Sequence, residues 1–293
     1  MTGEIVVGVD GSPGSRAALL WGFAEAERHG CGLRAVVGTG SAIDCGDDDR
    51  DDRSARADRL ADRAAHMLRE TVTATAPPGT TVRVTEEVVD QPGAEALLTV
   101  GNSARMIVVG ARGRGLLHRL RAGSVSTSVA VHSSTPVVIA RGDGAGAAPD
   151  HPPRPIAVGV DGSPNSLAAL RWAAAEADRR AVGLLVVHAW LSAIPLPFAE
   201  APGELTQTLE EQATATLDDA VTQVRASLPA GLDLRRRVVP SSPTHALLTA
   251  GRECDLIVVG ARGHGGFAEL LLGSVSHQCM LHSPVPVAII RQP

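Results

Sequence analysis

Short apolar runs alternate with longer segments whose apolar residues recur every three or four positions. Ile5 to Val9 is an apolar run of the kind expected for a strand covered on both faces. Ser12-Pro13 then offers a helix N-cap and a proline suited to the first helical position, followed by Ala17, Leu20, Trp21 and Ala24 at helical spacing. Leu33 to Val37 predicts a second strand. Arg53 to Thr75 predicts a long helix with Leu60, Ala64, Met67 and Leu68 on one face. Val82 to Val89 reads as a third strand, Gly93 to Val100 as a short helix and Met106 to Val109 as a fourth strand. Ser124 to His132 reads as a helix and Val137 to Ala140 as a last strand.

The pattern repeats. Val7-Gly8-Val9-Asp10-Gly11-Ser12-Pro13 recurs unchanged as Val158 to Pro164, an offset of 151. Ile107 to Gly113 recurs as Ile257 to Gly263, and Gly123 to Ser126 as Gly273 to Ser276, both at an offset of 150. Between the copies, RGDGAGAAPDHPPRP (Arg141 to Pro155) has the Gly, Ala and Pro content of an exposed connection. The expected organisation is therefore a first domain over 1–141, a linker over 142–154 and a second domain over 155–293. Strands alternating with helices imply a parallel sheet with right-handed crossovers. The fold class is α/β: two tandem doubly wound domains, each a five-stranded parallel sheet with helices on both faces. Ligands of such sheets bind at the carboxyl ends of the strands, where the strand order reverses.

Composition narrows the chemistry. The 293 residues contain no tyrosine, and all 27 basic residues are arginine. Without lysine there is no Walker A lysine, no protein-kinase strand lysine and no Schiff-base chemistry. A net charge of −5 supplies no basic excess for nucleic acid. Cys31, Cys45, Cys254 and Cys279 show no paired metal or redox spacing and read as reduced thiols. The N-terminal segment carries Glu4 and Asp10 where a signal peptide needs apolar residues. The longest apolar stretch, Val182 to Leu191, is interrupted by His188 and is short of a membrane span. A cytoplasmic protein without nucleic-acid or membrane partners is expected.

The glycine-rich segments carry the candidate chemistry. Gly110-x2-Gly113-x9-Gly123-Ser124 follows the fourth strand and enters a helix, and Gly260-x2-Gly263-x9-Gly273-Ser274 does so in the second copy. Glycines let backbone N–H groups approach an anion, and the helix start adds unpaired amides and the positive dipole end. Ser124 and Ser126, with Ser274 and Ser276, are candidate hydroxyl donors; Arg112 and Arg114 flank the first segment, and Arg262 and His264 the second. Asp10 and Asp161 stand at the carboxyl end of the first strand of each copy. They face a ribose hydroxyl or Mg²⁺, or else they support the turn into the helix.

VGVDGSPxS together with GARGxG…GSVS, twice in tandem, resembles the ATP-binding branch of the universal stress protein family. The resemblance implies an adenine-nucleotide alpha hydrolase-like fold. It also implies that Val9 with Asp10, and Val160 with Asp161, line the adenosine end of a pocket. Backbone at Gly38 and Ala189 would hold the adenine edge. Val109, Gly110, Gly113, Arg114, Gly123, Ser124, Val125 and Ser126 would surround ribose and phosphates. Their counterparts are Val259, Gly260, Gly263, His264, Gly273, Ser274, Val275 and Ser276. ATP, one or two per chain, is the implied ligand, with Mg²⁺ at Asp10 and Asp161 as a candidate companion. The family also implies pairing through the last strands, as a homodimer or as a pseudo-dimer within the chain, and an unknown regulatory protein partner.

Other features carry less. Asp47 to Asp52 resembles a metal cluster without calcium-loop spacing and reads as a solvated loop. Leu191 to Gly203 is an apolar candidate cover for the adenine or a partner. No Gly-x-Ser-x-Gly or paired-histidine metal motif is present, Trp21 and Trp172 read as core, and His132 and His282 sit near helix ends without a ligand role. The favoured reading is a nucleotide-dependent stress-response regulator. A slow ATPase or autophosphorylating enzyme, and an AMP-binding or nucleotide-free scaffold, stay as alternatives.

Overall fold

Hydrophobic strands form the centre of each half. The computed structural model describes residues 3–40, 50–111, 113, 123–142, 152–190, 203–264 and 272–292, the side chains of 50–55 and 203–205 excepted. It divides into one unit ending at Asp150 and another beginning at His151.

The first unit runs β1 (Ile5–Gly8), α1 (Pro13–His29), β2 (Leu33–Gly38), α2 (Arg50–Thr75), β3 (Val84–Val89), α3 (Gly93–Gly101), β4 (Met106–Gly110), α4 (Ser124–His132) and β5 (Val137–Ala140). All its strands are parallel, in the order β3-β2-β1-β4-β5. The order reverses between β1 and β4, which marks the expected ligand end. α1 packs on β1 and β4 and against α2, while α3 packs on β1 and β2 and against α4, so the helices form two layers. Ile5, Leu33, Met106, Ile107 and Ile139 are fully enclosed between them. Gly22 allows α1 to lie close: a Cβ there would stand 2.7 Å from Val7 Cγ2.

The second unit repeats the plan with β6 (Ile156–Gly159), α5 (Pro164–Arg179), β7 (Leu184–Trp190), α6 (Gly203–Val224), β8 (Leu234–Pro240), α7 (Pro243–Ala250), β9 (Leu256–Gly260), α8 (Ser274–His282) and β10 (Val287–Ile290). Its strands are parallel in the order β8-β7-β6-β9-β10. The N-caps behave as the sequence implies: Ser12 Oγ accepts from the Ser15 N–H at 3.2 Å, and Ser163 Oγ from the Ser166 N–H at 3.3 Å, with proline at the first helical turn in both.

Several boundaries and placements depart from the pattern. β1 stops at Gly8, because Val9 already leads into a turn, although its N–H still reaches the Val36 carbonyl. β3 starts at Val84 and α2 at Arg50, so the backbone of Asp51 and Asp52 belongs to a helix; Asp47, Asp48 and Asp49 lie outside the described residues, as does Cys45. Leu60 is exposed, since α2 docks through its second half, where Leu68 and Val72 are buried. Trp21 and Trp172 are half-buried rather than core. Burial pushes the Cys254 thiol up to about 11.

Candidate functional site

Each unit gathers its sequence-predicted residues at the carboxyl ends of its central strands. After β1 the chain turns sharply at Gly11, whose φ of 76° favours glycine, and Gly162 after β6 has φ 84°. The carboxylate before each glycine stabilises the turn. Asp10 Oδ1 accepts from the Ser12 N–H at 2.9 Å, and Asp161 Oδ1 from the Ser163 N–H at 3.0 Å. The turn-supporting role is therefore present in both units.

The same carboxylates also reach the glycine-rich segments. A Cβ on Gly113 would lie 2.7 Å from Asp10 Oδ2, and one on Gly263 would lie closer still to Asp161 Oδ2. In the second unit Asp161 Oδ2 accepts the backbone N–H of His264 at 3.1 Å. Burial pushes the Asp161 carboxyl upward, but hydrogen bonds from Ser163, Ser166 and His264 outweigh it and hold its pKa below the ordinary value. The aspartate is an ionised bracket joining strand end, helix start and glycine segment.

The segment is clipped at its base. Ala111 N–H donates to the Ala140 carbonyl at 3.1 Å, and Gly123 N–H to the Ala111 carbonyl at 3.3 Å. The second unit matches this with Ala261 to Ile290 at 2.7 Å and Gly273 to Ala261 at 2.8 Å. Gly110 and Gly260 sit against a helix start: a Cβ on Gly110 would stand 2.5 Å from the Gly14 carbonyl oxygen, and one on Gly260 2.8 Å from the Asn165 carbonyl carbon. Their glycine requirement comes from that packing. Arg112 and Arg114 lie outside the described residues.

Beyond the clip, α4 and α8 begin at Gly123 and Gly273 with no side chain capping their first amides, unlike α1, α5 and α7. Such an end presents unpaired N–H groups and a positive dipole end. The serine hydroxyls are placed differently from their backbone. Ser126 is buried and donates to the Gly123 carbonyl at 2.9 Å; Ser276 is buried and donates to the Gly260 carbonyl at 2.6 Å. Ser124 and Ser274 are exposed. Val125 is one of two large apolar side chains exposed among the described residues, and a Cβ on Gly93 would touch it at 3.6 Å. Gly38 ends β2 beside this point, where the β3–α3 connection crosses so closely that a Cβ would stand 2.5 Å from the Gln91 carbonyl. Val9, Val109, Val160 and Val259 are buried, so only their main chain is open to a contact at the strand ends.

Ala189 lies in β7 beside Val239. Its neighbour His188 was not singled out as a site residue, yet its Nδ1 stands 2.7 Å from the Val160 carbonyl and therefore carries the proton. Its signal was a substitution between copies, since the corresponding residue of the first copy is Val37. Arg291 also went unremarked; burial and the charge of Arg262 lower its pKa, which puts two guanidinium groups near one another beside β10.

The sequence profile described as the Universal stress protein family matches residues 1–141 and again 153–291. The chain belongs to the universal stress protein family. Membership supports a role in the stress response. A universal stress protein of Mycolicibacterium smegmatis is 33% identical over 301 residues, covering 98% of this chain and 96% of that one. One from Mycobacterium tuberculosis is 32% identical over 294 residues, covering 98% and 97%. The crystal structure of a universal stress protein from Archaeoglobus fulgidus shares the fold, with a TM-score of 0.65 at 20% identity over the full length of both chains. Among the described residues no helix is long and apolar enough to cross a membrane.

Proposed function

We propose that the chain is an ATP-binding regulator of the stress response in the cytoplasm, with one nucleotide pocket at the carboxyl ends of the strands of each unit. The observation that carries this reading is the duplicated helix start, α4 and α8, left uncapped beside a glycine held by a carboxylate. Those amides fit phosphate oxygens. Exposed Val125 offers apolar contact to the sugar or base, and Arg262 and Arg291 add positive charge in the second unit. The main chain at Gly38 and Ala189 is the candidate contact for the adenine edge. Asp10 Oδ1 and both oxygens of Asp161 already accept backbone amides, so neither aspartate serves as a cation cage of its own. Mg²⁺ in this reading travels with the phosphates, with one carboxylate facing it and water completing the shell.

ATP then acts by favouring one conformation that a regulatory protein partner recognises. The last strands β5 and β10, whose residues are all apolar, are the candidate pairing edges, as a homodimer or as a pseudo-dimer within the chain. Mass spectrometry of small molecules released on denaturing freshly purified protein tests the reading. It expects ATP at one or two equivalents per chain. ADP or AMP would favour turnover or an AMP site, and no nucleotide with no uptake of added ATP would overturn it.

A further inference from the structure

The outer strands of the two units carry opposite charge at equivalent places. β3 ends the strand order of the first unit and presents Glu86 and Glu87; β8 ends that of the second and presents Arg235, Arg236 and Arg237. Ala35 pairs with Glu86 and Val186 with Arg236. Ala35 and Val186 are themselves repeat equivalents 151 residues apart, so Glu86 and Arg236 occupy the same station. An outermost strand leaves a row of N–H and C=O groups on its outer side, and charge there decides what can add to it. Two β3 edges would oppose carboxylates and two β8 edges would oppose guanidinium groups, both unfavourable. A β3 edge against a β8 edge is complementary.

We propose that β3 of one chain docks antiparallel on β8 of a second copy of the same chain. Setting Glu86 opposite Arg236 places Glu87 opposite Arg235, Val84 opposite Val238, Val88 opposite Leu234 and Thr85 opposite Arg237, so both carboxylates meet guanidinium groups and the valines meet apolar residues. The charged groups already have partners within their own unit: Glu87 with Arg34 at 2.9 Å, Glu86 with Arg69 at 3.9 Å, Arg235 with Asp233 at 2.9 Å, and Arg236 with Asp218 at 3.3 Å. The side chains in these pairs are 31–70% exposed, so each pair contributes little and can be shared with a new strand at small cost. The contact joins two different surfaces, so assembly continues past a dimer unless a ring closes.

Sedimentation velocity of the full chain over a concentration series at low ionic strength tests this. Wild type is expected to gain mass with concentration and to lose that gain at high salt. Glu86→Arg with Glu87→Arg makes both edges basic, and Arg235→Glu with Arg236→Glu makes both acidic; each variant should self-associate ~10-fold more weakly or worse. Mixing the two should restore association, because each basic edge then meets an acidic one. Thermal melts confirm that the variants fold, and Glu86→Gln with Glu87→Gln gives a milder version expected to weaken association in the same direction. A wild-type mass independent of concentration, variants that associate as wild type does, or a mixture that fails to recover would each overturn the proposal.

Discussion

The two units build one site skeleton and finish it differently. Both have an aspartate bracket, a clipped glycine segment and an uncapped helix. In the second unit, however, His188 ties the end of β7 to the Val160 carbonyl, where the first unit has Val37. The serine after the helix start differs too: Ser126 closes on its own cap residue, whereas Ser276 reaches back to Gly260 at the end of β9. The shared parts are those that hold backbone at the strand ends. The divergent parts are side chains: His188 adds a tie in the second unit that Val37 cannot make.

The largest test of this comparison separates glycines packed against a helix start from glycines with room for a side chain. Gly110→Val or Gly260→Val drives a side chain into the backbone at the start of α1 or α5, and should destabilise that unit by about 3 kcal/mol or more in urea unfolding. Gly123→Ala, whose nearest contact would be Ser126 Oγ at 3.4 Å, should leave the midpoint nearly unchanged. A destabilisation at Gly123 equal to that at Gly110 would erase the distinction.

Next in size is the bracket. Asp161→Ala removes an ionised acceptor of backbone amides and should cost about 1–3 kcal/mol. Because the folded pKa of Asp161 is depressed, its contribution is present above the ordinary value of 3.8 and is lost as pH falls through the lower folded value. Asp161→Asn should therefore lose less stability than wild type between pH 7 and pH 3, read from urea midpoints; parallel losses would remove the carboxylate from the account. His188→Val copies the first unit and deletes one hydrogen bond, so a loss of about 1 kcal/mol is expected in the same assay, confined to the second unit.

The smallest effect has the opposite sign. Ala181 adopts φ 53° where the equivalent residue, Gly30, caps α1 at φ 57°. Ala181→Gly should stabilise the second unit by about 1 kcal/mol, and a lower thermal midpoint would contradict that.

Much of this was legible in the sequence because backbone demands leave local marks. Ser12-Pro13 and Ser163-Pro164 announced their helices, the strict repeat announced two like units, and Ser124 to His132 and Val137 to Ala140 were bounded as observed. What stayed hidden depends on contacts between distant segments. Gly110 reads as a ligand glycine, but its neighbour is the start of α1; Gly38 is glycine because Gln91 passes over it. Leu60 matched the helical period and yet has no sheet beneath it, and the tryptophans on α1 and α5 fall at the margin of the core. The carbonyl acceptors of the Ser126 and Ser276 hydroxyls likewise leave no mark in the sequence.

The central claim is that the carboxylate-held glycines and uncapped helices form nucleotide pockets. Calorimetric titration of ATP into nucleotide-stripped protein, beside the Gly113→Ala and Gly263→Ala double variant, tests it most directly. A Cβ at either position displaces the bracketing carboxylate and leaves the hydrophobic core alone. The account predicts one or two ATP per wild-type chain and a loss of binding in the double variant that stays folded. Equal binding by both proteins, or none by wild type, would contradict it.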